Sequence, residues 1–270
     1  MNKLLKTLGF LAIVLLIGFL STCGESGANT DLKPNLSVPS KPSDIPNFNS
    51  SKGYVAIQQA QVDDFIETLT DLLDDLVSSI DMNNLLPNIM NEYNSNSFSS
   101  LSRSLMGRSI VSESIDLRLS NDVPMPAYTK ITGYVKGTVS LHEENIFPIT
   151  INGDSKARVE ISEGFILDDD PALEMIGVVT GSVAINNVRM INENSISGSV
   201  SGTLNYALNI AYIEENFWVK VIGSITLTSN LSNETVTATA KLDIYGDSSS
   251  PYATQTITLK ATPGGVTINY

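Results

Sequence analysis

The most regular feature of this chain is an alternation of apolar and polar residues that begins near residue 110 and continues to the C-terminus. Residues 131–141, 196–212 and 235–245 place aliphatic residues, aromatic residues or Gly at alternate positions, with mainly Thr, Ser, Lys or Asn between them. A period of two puts the apolar side chains on one face of a β-strand. These segments therefore predict half-buried antiparallel strands.

Similar but weaker alternation predicts further strands, and short turn-like segments separate them. Two of these segments are Asn152-Gly153-Asp154 and Asp168-Asp169-Asp170-Pro171. Because such connections are too short for crossover helices, the sequence predicts a meander of about eight or nine strands. The additional strands are expected at 110–120, 156–166, 174–189, 217–229, 253–261 and 265–270.

An apolar-x-Gly-x-Val/Ile pattern recurs in these strands, centred on Gly133, Gly181, Gly198 and Gly223. Glycine weakens a strand, but it lets the sheet bend sharply or lets another backbone approach closely. We interpret the pattern as typical of a strongly curved sheet.

The segment Val55–Ile80 has a different period, because its apolar residues recur at steps of three and four. This spacing, with acidic residues on the other side, predicts an amphipathic helix. We therefore expect a mainly β fold with one long amphipathic helix (α+β), in which a curved antiparallel meander is wrapped on the helix. The apolar positions are Val62, Phe65, Ile66, Leu69, Leu72, Leu73, Leu76, Val77 and Ile80.

The N-terminus has the pattern of an export signal. Lys3 and Lys6 precede an apolar run at 8–20, which is shorter than the roughly 20 residues that a membrane-spanning helix needs. The run ends at Leu20-Ser21-Thr22-Cys23, which resembles the lipobox of bacterial lipoproteins, with Thr22 where that family has Gly, Ala or Ser. The resemblance implies that residues 1–22 are removed and that Cys23 carries lipid, including palmitate. An ordinary secretory cleavage after Ala28 is the alternative.

Composition divides the rest of the chain into a tether and one domain. Residues 23–53 are rich in Ser, Pro, Asn and Gly and predict a disordered tether after the lipidated Cys23, whereas residues 54–270 are expected to form a single helix-plus-antiparallel-sheet domain. Cys23 is the only cysteine, so no intramolecular disulfide can form, and the net charge of −13 argues against nucleic-acid or anionic-lipid binding through a basic face.

Residues typical of catalysis or metal binding are few. His142 is the only histidine, so the usual zinc and copper sites and a Ser-His-Asp triad have little support. Asp168-Asp169-Asp170 and Asn152-Gly153-Asp154 could offer oxygen ligands to Ca²⁺, but solvated turn residues explain them better. We therefore predict no catalytic residues, no metal and no cofactor, and we interpret the chain as a non-enzymatic protein.

Three functions fit these observations. The first is an exported envelope lipoprotein, on the periplasmic side or outer surface of the outer membrane, that binds a lipid or other hydrophobic ligand in the concave face of its sheet. The second is a structural or adhesion-type surface lipoprotein with a filled core. The third is an outer-membrane β-barrel, which the apolar alternation of 266–270 and its terminal aromatic residue suggest. In the lipoprotein readings the membrane is contacted through Cys23, and protein partners are undefined.

Overall fold

The computed structural model describes residues 33–62, 66, 110–119, 128–142, 148–167, 172–192 and 195–269. These residues form one large sheet with three short 3-10 turns at Pro42–Asp44, Ser50–Lys52 and Leu231–Asn233. The strands are β1 (Val55–Ala56), β2 (Ile110–Leu119), β3 (Thr129–His142), β4 (Ile149–Leu167), β5 (Leu173–Asn192), β6 (Ser195–Tyr212), β7 (Phe217–Asn230), β8 (Thr235–Tyr245), β9 (Ala253–Thr262) and β10 (Gly265–Asn269).

The nine strands β2 to β10 form an antiparallel meander, each paired with its neighbours in sequence. The predicted meander is therefore confirmed, and its strand number agrees with the prediction. The sheet is open in the described part of the chain, with β2 and β10 at its two edges. Strand β1 lies off this path and pairs in parallel with the start of β7.

The predicted turn at Asn152-Gly153-Asp154 is wrong, because these residues lie inside β4. Gly153 pairs with Gly137 on one side and with Ile185 on the other. Strand β5 has one extra residue at this point, because Asn186 and Asn187 together oppose Asn152 of β4. Asn187 has a left-handed conformation, and its backbone N–H donates a hydrogen bond to the side-chain oxygen of Asn152. The residues that favour turns thus stabilise a β-bulge, which increases the local twist.

One face of the sheet, which we call the core face, is sealed at the end of the molecule near the β4–β5 and β6–β7 connections. Side chains from the central strands are almost completely buried there, and Ile57 and Val62 pack on them. We call this end proximal and the end with the β5–β6 and β7–β8 connections distal. The buried strand residues include Met175, Val179, Leu208, Ile210, Val219, Val221 and Ile244.

Glycines on the core face allow close approach at some of the predicted positions. A Cβ at Gly223 would lie 2.5 Å from the hydroxyl oxygen of Tyr206, which donates a 3.1 Å hydrogen bond to the carbonyl of Lys241. Gly181, by contrast, has only ordinary van der Waals neighbours. The close-approach interpretation therefore holds at Gly223 and not at Gly181.

The long helix predicted from Val55 is not supported by the described residues. Val55 and Ala56 form β1 instead, because the N–H groups of Val55 and Ile57 donate to the carbonyls of Asn216 and Trp218. Helical residues begin at 59, and those described are 59–62 and 66. Val62 is fully buried, and Ile66 packs against the core, as the apolar stripe predicts. The remainder of the predicted helix lies outside the described residues.

Residues 33–53, which we call the strap, lie on the opposite face of the sheet, which we call the strap face. The prediction of a disordered tether is therefore wrong for this part, while residues 23–32 lie outside the described residues. Pro42 is buried, and Ile45 is only 1% exposed. A segment this poor in apolar residues lacks the pattern of an element that packs, and polar contacts with the sheet hold it instead.

The strap is held by side chains of the sheet that donate hydrogen bonds to its backbone carbonyls. The Lys220 ammonium donates to the carbonyls of Pro42 and Ile45, at 2.8 and 3.3 Å. Asn209 donates to Pro46 at 3.1 Å, and Thr180 donates to Leu36 at 3.0 Å. A Pro-rich segment offers few N–H groups for a strand ladder, so its carbonyls need donors from elsewhere.

We expect Lys220→Met to destabilise the protein by about 1–3 kcal/mol, because two strap carbonyls lose a charged donor. Urea unfolding monitored by tryptophan fluorescence measures this change, and limited proteolysis should cut the strap faster. Lys241→Met is the matched control, since Lys241 is an exposed lysine of β8 on the same face of the sheet as Lys220. Equal unfolding midpoints for the wild type and Lys220→Met would contradict this account of the strap.

Candidate functional site

The first candidate region is a charged cluster where the strap meets β4 and β5. Glu174 in β5 is completely buried, and its carboxylate accepts hydrogen bonds from Lys52 at 2.7 and 2.8 Å. It also accepts from the hydroxyl of Tyr54 at 3.1 Å and from the backbone N–H of Gly164 at 2.8 Å. Gly164 has a positive φ within a bulge of β4, which directs its N–H towards the carboxylate. The cluster is thus fully paired.

The pKa values of this cluster reflect burial and pairing. Burial by itself raises the pKa of Glu174, but the hydrogen bonds from Lys52, Gly164 and Tyr54 outweigh it and hold that pKa below 4.5. The hydrogen bond to Glu174 correspondingly raises the pKa of Lys52. Such a pair stabilises the strap rather than supplying a group ready for acid–base chemistry.

Lys220 differs from Lys52, because its ammonium faces carbonyl oxygens and the ring of Trp218, whose centroid lies 5.5 Å away. Burial lowers its pKa. Next to it in register, Asn209 is 1% exposed and has a side-chain oxygen without a hydrogen-bond partner. Both residues are enclosed by the strap, so we assign them a structural role.

The second candidate region is an open groove where the strap begins, against β3 and β4. It encloses about 290 Å³. Arg158 spans its floor: Nε bonds the Glu160 carboxylate at 2.8 Å, and one terminal nitrogen bonds the carbonyls of Asn35 and Ser37 at 3.2 and 2.7 Å. The groove residues that carry charge or hydrogen-bonding groups are Lys33, Asn35, Lys130, Thr132, Arg158 and Glu160.

The third candidate region is the distal half of the core face. The strands β4, β5 and β6 have 19, 20 and 18 residues, which corresponds to about 60 Å at roughly 3.3 Å per residue. The sealed part of the core covers only their proximal ends. Apolar residues continue on the same face towards the distal end, where most are half-buried, although Ile149 and Val188 are buried. They include Val183, Ile185, Val200, Leu204, Ile225, Leu227, Val236 and Leu259.

Those residues singled out from the sequence that the structure describes do not come together into one site. Cys23 and Asp168-Asp169-Asp170 lie outside the described residues. His142 ends β3, where its backbone pairs with Ile110. Asp154 accepts a hydrogen bond from the Tyr134 hydroxyl at 2.6 Å, so it is a paired strand residue and not the solvated turn residue that the sequence suggested.

No cluster of three or more His, Cys, Asp or Glu side chains suited to a metal ion occurs among the described residues. Within the same part of the chain, no helix combines the length and apolar character needed to cross a bilayer.

The chain matches no protein-family model, no curated protein and no solved structure. Its function therefore has to be argued from its own residues.

Sequence reasoning missed both regions of the strap face. Lys52, Glu174 and Lys220 are far apart in sequence and belong to no motif. The only sequence signal was that Glu174 and Lys220 are charged residues in strand segments whose neighbouring residues are apolar, Thr or Gly. A charge within such a segment needs a partner, and that requirement could have indicated that another segment covers this face.

We expect the stability of the protein to depend on the charge of Glu174. Its pKa is lower in the folded chain than in the unfolded chain, so the folded state binds fewer protons between the two values, and stability rises with pH there. The stabilisation is present above pH 4.5 and is lost as the pH falls through the folded pKa. Urea midpoints measured across this range should therefore fall less steeply with decreasing pH in Glu174→Gln than in the wild type.

Glu214→Gln, in the exposed turn between β6 and β7, is the control and should retain the wild-type pH dependence. If the urea midpoint of Glu174→Gln fell with decreasing pH as steeply as that of the wild type, the stabilising role of the Glu174 charge would be contradicted.

Proposed function

We propose that this chain is an exported, non-enzymatic lipoprotein of the cell envelope, anchored through lipid on Cys23 in the outer membrane and binding a hydrophobic ligand on its sheet. The anchor rests on the N-terminal pattern, with Lys3 and Lys6 before an apolar run that ends at Cys23. The ligand rests on one observation: the core face is sealed at its proximal end, whereas most of the apolar side chains that continue along its distal half are only half-buried.

The finer architecture of this proposal is a curved sheet that wraps on a long helix. Residues 59–62 and 66 are helical, and Val62 and Ile66 face the core. If the helix continued with the same spacing, Leu69, Leu73 and Leu76 would lie on the same apolar stripe as these two residues. Such a helix would cover part of the apolar face and leave room for a ligand beside it. Bulges in β4 and β5 favour the curvature.

The second candidate is a surface-interaction lipoprotein with a filled core. The tight burial of Val62, Leu208 and Val219 at the proximal end favours it, because none of these side chains is measurably exposed. The two candidates share the anchor and differ only in whether the distal core face holds a ligand.

Cys23→Ser should release the protein from the membrane fraction, because every acyl chain of the proposed anchor is attached to Cys23. Cell fractionation and intact-mass measurement of the purified protein test this expectation: the wild type should carry the added mass of acyl chains at a mature N-terminal Cys23. Ser21→Ala is the control and should be processed as the wild type is. A wild-type mass that corresponds to cleavage elsewhere, without lipid, would reject the anchor.

The ligand proposal predicts that Val183→Asp weakens binding of the apolar dye N-phenylnaphthylamine at least tenfold, because a carboxylate on the distal core face must be desolvated when the dye binds. Ser182→Asp is the matched control, since it places the same charge on the opposite face of β5. Fluorescence titration measures the affinities, and extraction of the purified wild type tests for co-purified lipid. Absence of both dye binding and lipid would favour the filled core.

A further inference from the structure

Cations are concentrated on the strap face around β3 and β4, although the chain as a whole is acidic. Alternation puts Lys130 and Lys136 of β3 on the same face as Lys156 and Arg158 of β4, and the strap adds Lys33. The described carboxylates on this part of the face are Asp154 and Glu160, and Glu163 of β4 lies farther along the strand, 3.8 Å from Lys52 of the strap. We call these five cations the basic patch, and no sequence motif indicated it, because its members come from three separate segments.

The two carboxylates do not neutralise the basic patch. Arg158 holds Glu160 through Nε, and Lys156 lies 4.0 Å from Asp154. Lys33 and Lys130 form no ion pair with any described residue, and both are exposed at the rim of the groove. Lys130 lies opposite Glu160 in register, so Glu160 offsets part of the positive charge of the basic patch.

The groove within the basic patch is suited to a small tetrahedral anion. Its volume of about 290 Å³ admits a phosphate group together with water. The second terminal nitrogen of Arg158 has no hydrogen-bond partner among the described residues, and Thr132 supplies a hydroxyl beside it. A guanidinium already fixed by three hydrogen bonds loses little conformational freedom when it binds an oxyanion.

The position of the basic patch relative to the proposed anchor identifies the source of the anion. The chain is fixed on the sheet from about Leu36, so only residues 24–35 separate the sheet from Cys23. Lys33 itself follows Cys23 by ten residues. Ten residues span at most about 36 Å, and a flexible segment of that length averages roughly 16–19 Å. The basic patch therefore lies at the membrane-proximal side of the domain.

We propose that the basic patch binds phosphate groups of anionic lipid headgroups in the membrane that holds Cys23, and so orients the sheet on the lipid surface. This inference rests on the proposed anchor. A lipid anchor combined with basic residues is an established physical route to stable membrane attachment, because the two free energies add. The acidic remainder of the chain would repel a long polyanion such as a nucleic acid, whereas a planar membrane can contact the basic patch alone.

The test uses the exported chain with Cys23→Ser, so that electrostatic binding is measured without the acyl anchor. Co-sedimentation with vesicles of phosphatidylcholine, with or without phosphatidylglycerol, should show binding only to the anionic vesicles, and added salt should weaken it. Adding Lys33→Gln and Lys130→Gln together should reduce the partition coefficient about 25-fold, at about fivefold for each cation. Neither side chain forms a hydrogen bond or ion pair with another described residue, so the unfolding midpoint should be unchanged.

Lys241→Gln with Lys260→Gln is the control pair, because both residues are exposed lysines on β8 and β9, near the other edge of the sheet. It should leave the binding to anionic vesicles close to that of the Cys23→Ser protein. An equal loss of binding to anionic vesicles in both double variants would mean that overall charge governs the binding. That result would overturn the assignment to the basic patch.

A titration with inorganic phosphate separates the two sources of the anion. Binding of phosphate by the groove, without any preference for anionic vesicles, would overturn the lipid proposal in favour of a free anion. If the wild type is lipidated but shows no preference for anionic vesicles, the headgroup proposal is rejected, whereas the proposed lipid anchor on Cys23 is retained. Preference for anionic vesicles in a wild type that proves unlipidated would reject the anchor and support the headgroup site.

Discussion

The structure depends on buried donors of the sheet that satisfy the carbonyls of the strap. Lys220 is the central example, because a buried ammonium without a carboxylate partner is costly unless its donors are used. The carbonyls of Pro42 and Ile45 use them, and the strap thereby covers the polar face of the central strands. Without the strap, Lys220, Asn209 and Glu174 would face solvent from the middle of a sheet whose other face is the core.

This arrangement allows a single sheet to be protected on both faces at its proximal end. Apolar side chains seal the core face, and the strap seals the other face through hydrogen bonds. The chain passes from the strap face to the core face at β1, which pairs with the free edge of β7 before Ile57 enters the core. Towards the distal end most apolar residues of the core face are only half-buried, and the proposed ligand surface lies there. The basic patch lies on the strap face instead, on strand segments whose other face carries Ile131 and Val159 of the core.

The strap also shortens the length of chain between the domain and the proposed anchor at Cys23. A disordered segment of about 30 residues would average roughly 30 Å and leave the domain free to turn. Because residues from about Leu36 onward are fixed to the sheet, only residues 24–35 lie between Cys23 and the fixed part of the chain, which is less than half of that number. If Cys23 is anchored as proposed, the contacts that stabilise the fold would also decide which side of the sheet faces the lipid surface.

The sequence by itself determined the strands, because a period of two leaves little freedom once one face must be buried. It predicted the antiparallel meander for the same reason, since short connections exclude crossovers. It did not determine the strap, whose Pro and Ser residues have the composition of a flexible linker and become ordered only through donors that lie more than 100 residues away. It also misplaced a turn at Asn152-Gly153-Asp154, because the same residues suit a bulge. Only the tertiary structure brought Lys33, Lys130 and Arg158 together, since strand register and chain crossing, rather than local pattern, decide which distant residues share a face.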